Sequence, residues 1–509
     1  MKKRKKIILS SITGALALAL AGGGFWAYKT FVPQETPIDK NATVASNFYQ
    51  AVNKDWLLKA KIPADSPSID SFYTLDEDVK GKLKKDIKNL GEGKESSDIT
   101  GMSEFITFYK AASDYKQREK DGLEPLKPYL KEIEDIKDLN DLANKSASLT
   151  DKGIPIPFGY DVGTNAENTS QKQIQLTPPS ILLPDVSIYK DESSKKQYLT
   201  PMETATQKAL EMLGYSEKNS KRIVKEALEF DEIIAKYSLS NEEMSESKNL
   251  VHPKTAEEIN AYSGSFKLYD VIKGIMGRDL ETINVPNTKY FENYSKVVNQ
   301  DNFSKIKSWM LVQEAMAASN SLTEDYRLNF QSINMAIMGT QKPISKEDTV
   351  YEMSVNLFSD VMSVYYGRKY FGEEAKTDVT GMIDKIKNVY RGRLQQNDWL
   401  TEETRNKAIE KLDKMKVFVG YQEDVDPGTK ELHLDPNKSF FELSEDIAQF
   451  GRRYTIDHFD EPIDKNKWSG SAFDINAYYN PESNSINFPA GILQAPFYDK
   501  NQSTEKNYG

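Results

Sequence analysis

The sequence predicts a mainly α-helical fold with a few short strands, and three observations predict it. Across 76–150, 203–239 and 254–340, apolar residues return at three- and four-residue steps, the spacing of one helix face. Alternation of apolar and polar residues is clearest near the carboxyl end, in Ser485-Ile486-Asn487-Phe488, which has the period of a half-buried strand. Proline and glycine breaks separate the helical stretches, at Ile154 to Pro157 and at Gly339 to Pro343. A chain of 509 residues is long enough for two or three domains and a large core. No internal repeat is present.

In chain order, Lys2, Lys3, Arg4, Lys5 and Lys6 form a basic cluster ahead of an uncharged run from Ile7 to Tyr28. A run of that length spans a bilayer of ~30 Å as a helix. Phe25, Trp26 and Tyr28 stand where an interfacial aromatic belt would lie, and the cluster predicts a cytoplasmic amino terminus. The expected localisation is therefore a single-pass cell-membrane protein with an extracellular body. The alternative is a secreted protein after signal cleavage, because Ala19-Leu20-Ala21 before Gly22 has the small-x-small cleavage pattern. The uncleaved anchor is preferred because the apolar run continues past that site.

Residues 29–46 read as a tether, with prolines and no periodicity. Phe48, Val52 and Trp56 then recur at turn spacing and predict an amphipathic helix closed by Pro63. Phe105, Phe108, Tyr109, Ala112 and Tyr115 make a further stripe, which core packing explains better than a ligand. Residues 161–173 have the composition of an exposed loop, and Leu176 to Tyr189 reads as extended chain over the surface of the core. Ile223, Ala227, Phe230 and Ile234 mark one helix, and Trp309, Val312 and Ala315 another. Val379, Met382, Ile383, Ile386, Val389 and Tyr390 form a single apolar stripe. Thr401 caps the next helix, with Glu402 and Glu403 in the first turn where the dipole favours negative charge. Residues 422–436 read as a linker. Ile475 to Tyr479 is a β-prone run, and Asn480-Pro481-Glu482-Ser483 a turn. The resulting hairpin and the apolar loop after it have no partner following in sequence, so exposed apolar surface and poor behaviour on expression are expected.

Composition excludes several chemistries. With no cysteine there is no disulfide, thiolate metal site or cysteine nucleophile. Setting aside the basic head, the body carries about −15, the wrong sign for neutralising phosphates, and no basic stripe is seen. Nucleic acid is therefore not an expected partner. Gly264-Ser265 lacks the nucleophile-elbow context, and carboxylate pairs such as Glu402-Glu403 are commonplace in so acidic a chain. A catalytic zinc needs about three protein ligands and an open position. His252, His433 and His458 are isolated from one another in sequence, so no metal ligand and no catalytic residue is assigned.

Several motifs resemble one family. They are the opening "FY..VN..W", "IPAD" and "F..L" between Asn47 and Leu75, Leu182-Leu183-Pro184-Asp185, and "WL.EETR.KAI.KL..MKV..GY" from Trp399 to Tyr421. The most specific is the closing NAYYNP…N.INFPAGILQAPFYD…NYG. Together they resemble the neprilysin-like M13 zinc metallopeptidases over about 47–509. That resemblance implies a large multi-helical amino-terminal region and the beginning of a thermolysin-like catalytic domain, opening on a β-hairpin. It implies the organisation 1–28 anchor or signal peptide, 29–46 linker, 47–425 helical region, and 437–509 incomplete start of the catalytic domain. In the family, the asparagine and alanine of the NA.Y strand bind the peptide backbone; these are Asn476 and Ala477 here. The family's zinc is held by H-E-x-x-H and a further glutamate, and the motif glutamate activates water. This sequence contains no H-E-x-x-H. The expectation is thus the amino-terminal portion of a membrane-anchored zinc endopeptidase acting on peptides, binding no zinc itself and inactive alone. The alternatives are an inactive peptide- or protein-binding surface module and half of a split enzyme complemented by a downstream polypeptide. Relatives use an arginine near the opening motif to hold the substrate carboxylate. None occurs here between Arg4 and Arg118, so that role is not transferred to Ser68 or Asp76.

Overall fold

The computed structural model describes residues 38–509, so the run Ile7–Tyr28 and most of the tether lie outside the described residues. The expected single-pass placement is corrected here. Among the described residues, no helix is long and apolar enough to cross a membrane.

The helices used below, in chain order, are α1 Phe48–Lys59, α2 Ser71–Gly91, α3 Met102–Ser113, α4 Glu192–Met212, α5 Glu217–Tyr237, α6 Phe303–Ala317, α7 Gly372–Gln395, α8 Glu402–Lys414 and α9 Phe440–Asp457. The fold is mainly helical, with a four-stranded sheet of order β1-β2-β4-β3 and a three-stranded sheet of order β5-β7-β6. Their strands are β1 Gly159–Thr164, β2 Lys172–Thr177, β3 Pro253–Lys254, β4 Ile283–Asn284, β5 Lys416–Gly420, β6 Tyr478–Asn480 and β7 Ser485–Pro489. The hairpin β1–β2 occupies part of what reads as a polar loop. Its composition hides it, because backbone pairing needs no apolar side chain.

The chain forms two compact units, and the second gathers Phe72–Asp114, Val162–Gln173 and Lys346–Gly509. The first comprises the remainder, and its core is aromatic. Phe230 of α5 meets Trp309 of α6 edge-on at 5.8 Å, and Tyr290, Phe291 and Tyr294 are fully buried beside Phe266. The Leu176–Tyr189 segment does not run over the surface. Leu182, Leu183, Val186 and Ile188 are buried. The Leu182 N–H donates to the Asp231 carboxylate at 2.9 Å, and the Tyr189 hydroxyl donates to its other oxygen.

Helix α1 forms where the Phe48, Val52, Trp56 spacing predicts a helix, and Asn47 caps it by accepting the Gln50 N–H at 3.0 Å. Its facing differs from the prediction. Gln50 and Leu57 are buried, whereas the Phe48, Val52, Trp56 stripe is exposed. Helix α7 divides the same way. Val379 and Ile383 are buried, while Ile386, Val389 and Tyr390 are more than half exposed. Apolar periodicity locates both helices but does not fix what covers the stripe.

In the second unit, Leu75, Val79, Leu83, Ile87 and Leu90 of α2 are buried at helical spacing. Phe105 and Phe108 of α3 pack on Phe358, and Phe108 also on Phe440 of α9. Thr401 caps α8 as predicted, accepting the Thr404 N–H at 3.2 Å.

The carboxyl-terminal hairpin is not left without a partner. Strand β5, which precedes it in sequence, pairs with β7 in parallel over five residues, from Lys416↔Ser485 to Gly420↔Pro489. The loop after β7 is anchored as well. The Ala490 N–H donates to the Gly420 carbonyl and the Gly491 N–H to the Ala472 carbonyl, both at 2.8 Å. Tyr498 is buried in a cluster with Ala375, Val379, Ile383 and Val419, and its hydroxyl donates to Asp378 at 2.8 Å. The expected uncovered apolar loop is therefore corrected: β5 and α7 cover it.

Candidate peptide-binding edge

Strand β6 is built by the turn that precedes β7. Pro481 presets the chain, and the Asn480 side chain accepts the N–H groups of Glu482 and Ser483 at 2.9 and 3.3 Å. Asn484 closes the turn in the left-handed region at φ 49°, which asparagine tolerates better than most residues. Antiparallel pairing then sets Tyr478 opposite Asn487, Tyr479 opposite Ile486 and Asn480 opposite Ser485. Since β6 is the last strand of its sheet, its outer edge faces no strand among the described residues.

Asn476 and Ala477 stand just ahead of β6, and both are exposed. The Asn476 side-chain oxygen accepts the Ala477 N–H at 2.8 Å, so the loop holds its own amide until something displaces it. On one face of the sheet, register places Tyr478 beside Asn487 and Phe418. Trp468 packs edge-on against Phe418 at 6.0 Å, and the Tyr478 hydroxyl donates to the Ser469 carbonyl. Gly470, at φ 77°, passes so close to that hydroxyl that any Cβ would collide with it. Burial raises the Asp474 carboxyl, against the opposing hydrogen bond from the Ser471 N–H at 3.0 Å. Burial, with Asp474 nearby, pushes the Tyr478 phenol up to about 12, so it remains a donor at neutral pH. Tyr479 faces the other way, 40% exposed, with the Lys411 ammonium 5.5 Å from its ring centroid.

The family model for peptidase family M13, amino-terminal part, matches residues 44–422, and that for the M13 peptidase itself matches residues 476–509. The chain belongs to peptidase family M13. It is 34% identical over 472 residues to the neutral endopeptidase of Lactobacillus helveticus, covering 92% of this chain and 73% of that protein. Against the neutral endopeptidase of Lactococcus lactis subsp. lactis, identity is 32% over 471 residues, covering 92% and 74%. The same fold is seen in the crystal structure of PEPO from Lactobacillus rhamnosis HN001, with a TM-score of 0.85 at 24% identity over 91% of this chain and 73% of that one. It recurs in the Mycobacterium tuberculosis zinc metalloprotease ZMP1, with a TM-score of 0.81 at 22% identity, covering 93% and 72%.

M13 enzymes carry zinc, but the donors among the described residues do not fit a catalytic zinc. His252 lies beside the small β3–β4 ladder of the first unit, its backbone N–H donating to Asn284 at 2.6 Å. His433 is largely exposed, 3.8 Å from Glu104. His458 stacks on Tyr454 at 3.9 Å, and its Nδ1 engages the Tyr454 carbonyl at 2.9 Å. Among the described residues, no group of three or more potential metal ligands forms. Arg118, the first arginine after the basic head, is buried and donates to the carbonyls of Leu322 and Asn320, which is a structural use. Asp76 is raised by burial above all, with Lys80 opposing and Glu77 and Asp474 adding.

Reasoning from sequence passed over β5, Asp474 and Lys411. The signal for β5 was present in Lys416-Val417-Phe418-Val419-Gly420, a short β-prone run after a helix. Lys411 gave no signal, because only the folded chain brings it to Tyr479.

Proposed function

We propose that this chain supplies the substrate-cradling scaffold of a neprilysin-type zinc metalloendopeptidase and holds an extended peptide along the outer edge of β6. The open edge, approached through exposed Asn476 and Ala477, carries this reading. Edge addition draws affinity from main-chain hydrogen bonds and reads little sequence. The Asn476 amide, now turned onto the Ala477 N–H, would turn to the peptide backbone and release that N–H as a donor. The part played here is holding the peptide, since the donors among the described residues do not form a zinc site.

The test is peptide binding by this chain, followed by fluorescence anisotropy with a short β-prone peptide. Asn476→Ala is expected to weaken binding about tenfold, through loss of roughly one hydrogen bond with its desolvated partner. Ala477→Pro, which removes the N–H, should do at least as much. Unchanged affinity in both variants would remove the edge from consideration. Adding a polypeptide that carries H-E-x-x-H tests the split-enzyme reading, which predicts that chelator-sensitive cleavage appears.

A further inference from the structure

We propose that Lys411 and Tyr479 form a selectivity element, favouring peptides with an acidic side chain at the position beside Tyr479. The inference rests on the edge-binding reading above. A strand added to the outer edge of β6 presents its side chains alternately to the two faces of the sheet. A residue paired directly across from Tyr479 brings its Cβ within about 5 Å of the tyrosine Cβ, on the Tyr479 face. That face already carries a cation.

Helix α8 shows why this lysine differs from its neighbours. Lys407 and Lys414 both donate to Glu410, at 3.3 and 2.7 Å. Lys411, which lies between them in sequence, has no carboxylate partner among the described residues, and its ammonium rests over the Tyr479 ring. A lysine over an exposed aromatic ring is held only weakly, so a carboxylate arriving beside it competes well. Its backbone is fixed in place: the Lys411 carbonyl accepts the Asn484 side-chain N–H at 3.0 Å, and the Tyr479 hydroxyl donates to the oxygen of that side chain, also at 3.0 Å. One side chain in the turn thus ties helix and strand together. The opposite face differs. There Tyr478 is tied to Ser469 with the Asp474 carboxyl nearby, and Lys416, which register sets on that face two strands from the edge, already donates to Asn466 at 2.7 Å. Acid preference is therefore expected at the position beside Tyr479 and not at the positions on either side of it.

The experiment walks a single Glu, and separately a single Lys, through a neutral β-prone peptide, reading the affinity of this chain at low and high salt. At the position that pairs with Tyr479, Glu should tighten binding about threefold over Ala and Lys should weaken it similarly, with both effects fading at high salt. Lys411→Glu should invert the order, and Lys411→Met should abolish it, while the neutral parent peptide binds as before. Lys411 is exposed, so neither variant threatens folding. Equal affinity for Glu and Lys peptides, or an order unchanged by Lys411→Glu, overturns the inference and leaves edge binding intact. Failure of the neutral parent to bind overturns the edge reading itself.

Discussion

Asp231 is fully buried on α5, in a helix whose other inward residues, Ser220 apart, are apolar. Burial pushes its carboxyl up to about 7, against the hydrogen bonds from Tyr189 and the Leu182 N–H that favour the charged form. The raised value means that the folded state holds a proton the unfolded chain releases. Its contribution to stability is thus full below the unfolded value near 3.8 and is lost as pH rises through about 7. Asp231→Asn keeps an acceptor for Leu182 and removes the titration. Denaturant unfolding at pH 5 and pH 8 should therefore show the wild type losing on the order of 1 kcal/mol or more relative to the variant. Equal pH dependence in the two proteins would refute the assignment. Nothing in the sequence marked this carboxylate among so many, because its partners come from Leu182 and Tyr189, some forty to fifty residues earlier.

Helices are where sequence and structure agree best and also where they part. The stripe from Val379 to Tyr390 correctly locates α7, but only its first half meets the Val419 and Tyr498 cluster. Two isoleucines one turn apart separate the cases: Ile383 is 8% exposed and Ile386 53%. Ile383→Ala should cost about 2–5 kcal/mol, whereas Ile386→Ala should stay within about 0.5 kcal/mol, read from thermal or denaturant unfolding. Equal losses would mean that the whole stripe is core, as periodicity alone suggests. Strands show the converse. The β6–β7 hairpin was legible because alternation and turn chemistry are local. Its pairing with β5 was not, because a parallel neighbour across dozens of residues leaves no local mark.

At the scale of the whole molecule, three segments far apart in sequence form one compact unit, and that unit contains the β5-β7-β6 sheet with its open edge. The three histidines are employed singly. Metal analysis of the purified chain should accordingly find zinc well below one equivalent, and a reporter peptide should not be cleaved in a chelator-sensitive way. One equivalent of tightly held zinc with such cleavage would show that the ligands had been misjudged. The anchored FPAGIL loop also changes the expected handling of the protein. Exposed apolar side chains gather instead on the α1 and α7 stripes and at Trp399.

The sequence by itself determined the family, the helical class, the cap at Thr401, and the turn at Asn480 with the hairpin around it. Each is written in spacing, composition or a contiguous motif. Only the tertiary structure decided which half of each apolar stripe is buried, that β5 completes the sheet, and that Lys411 stands over Tyr479 at its rim. Those facts join residues distant along the chain, and burial depends on what packs against a surface rather than on the residues that form it.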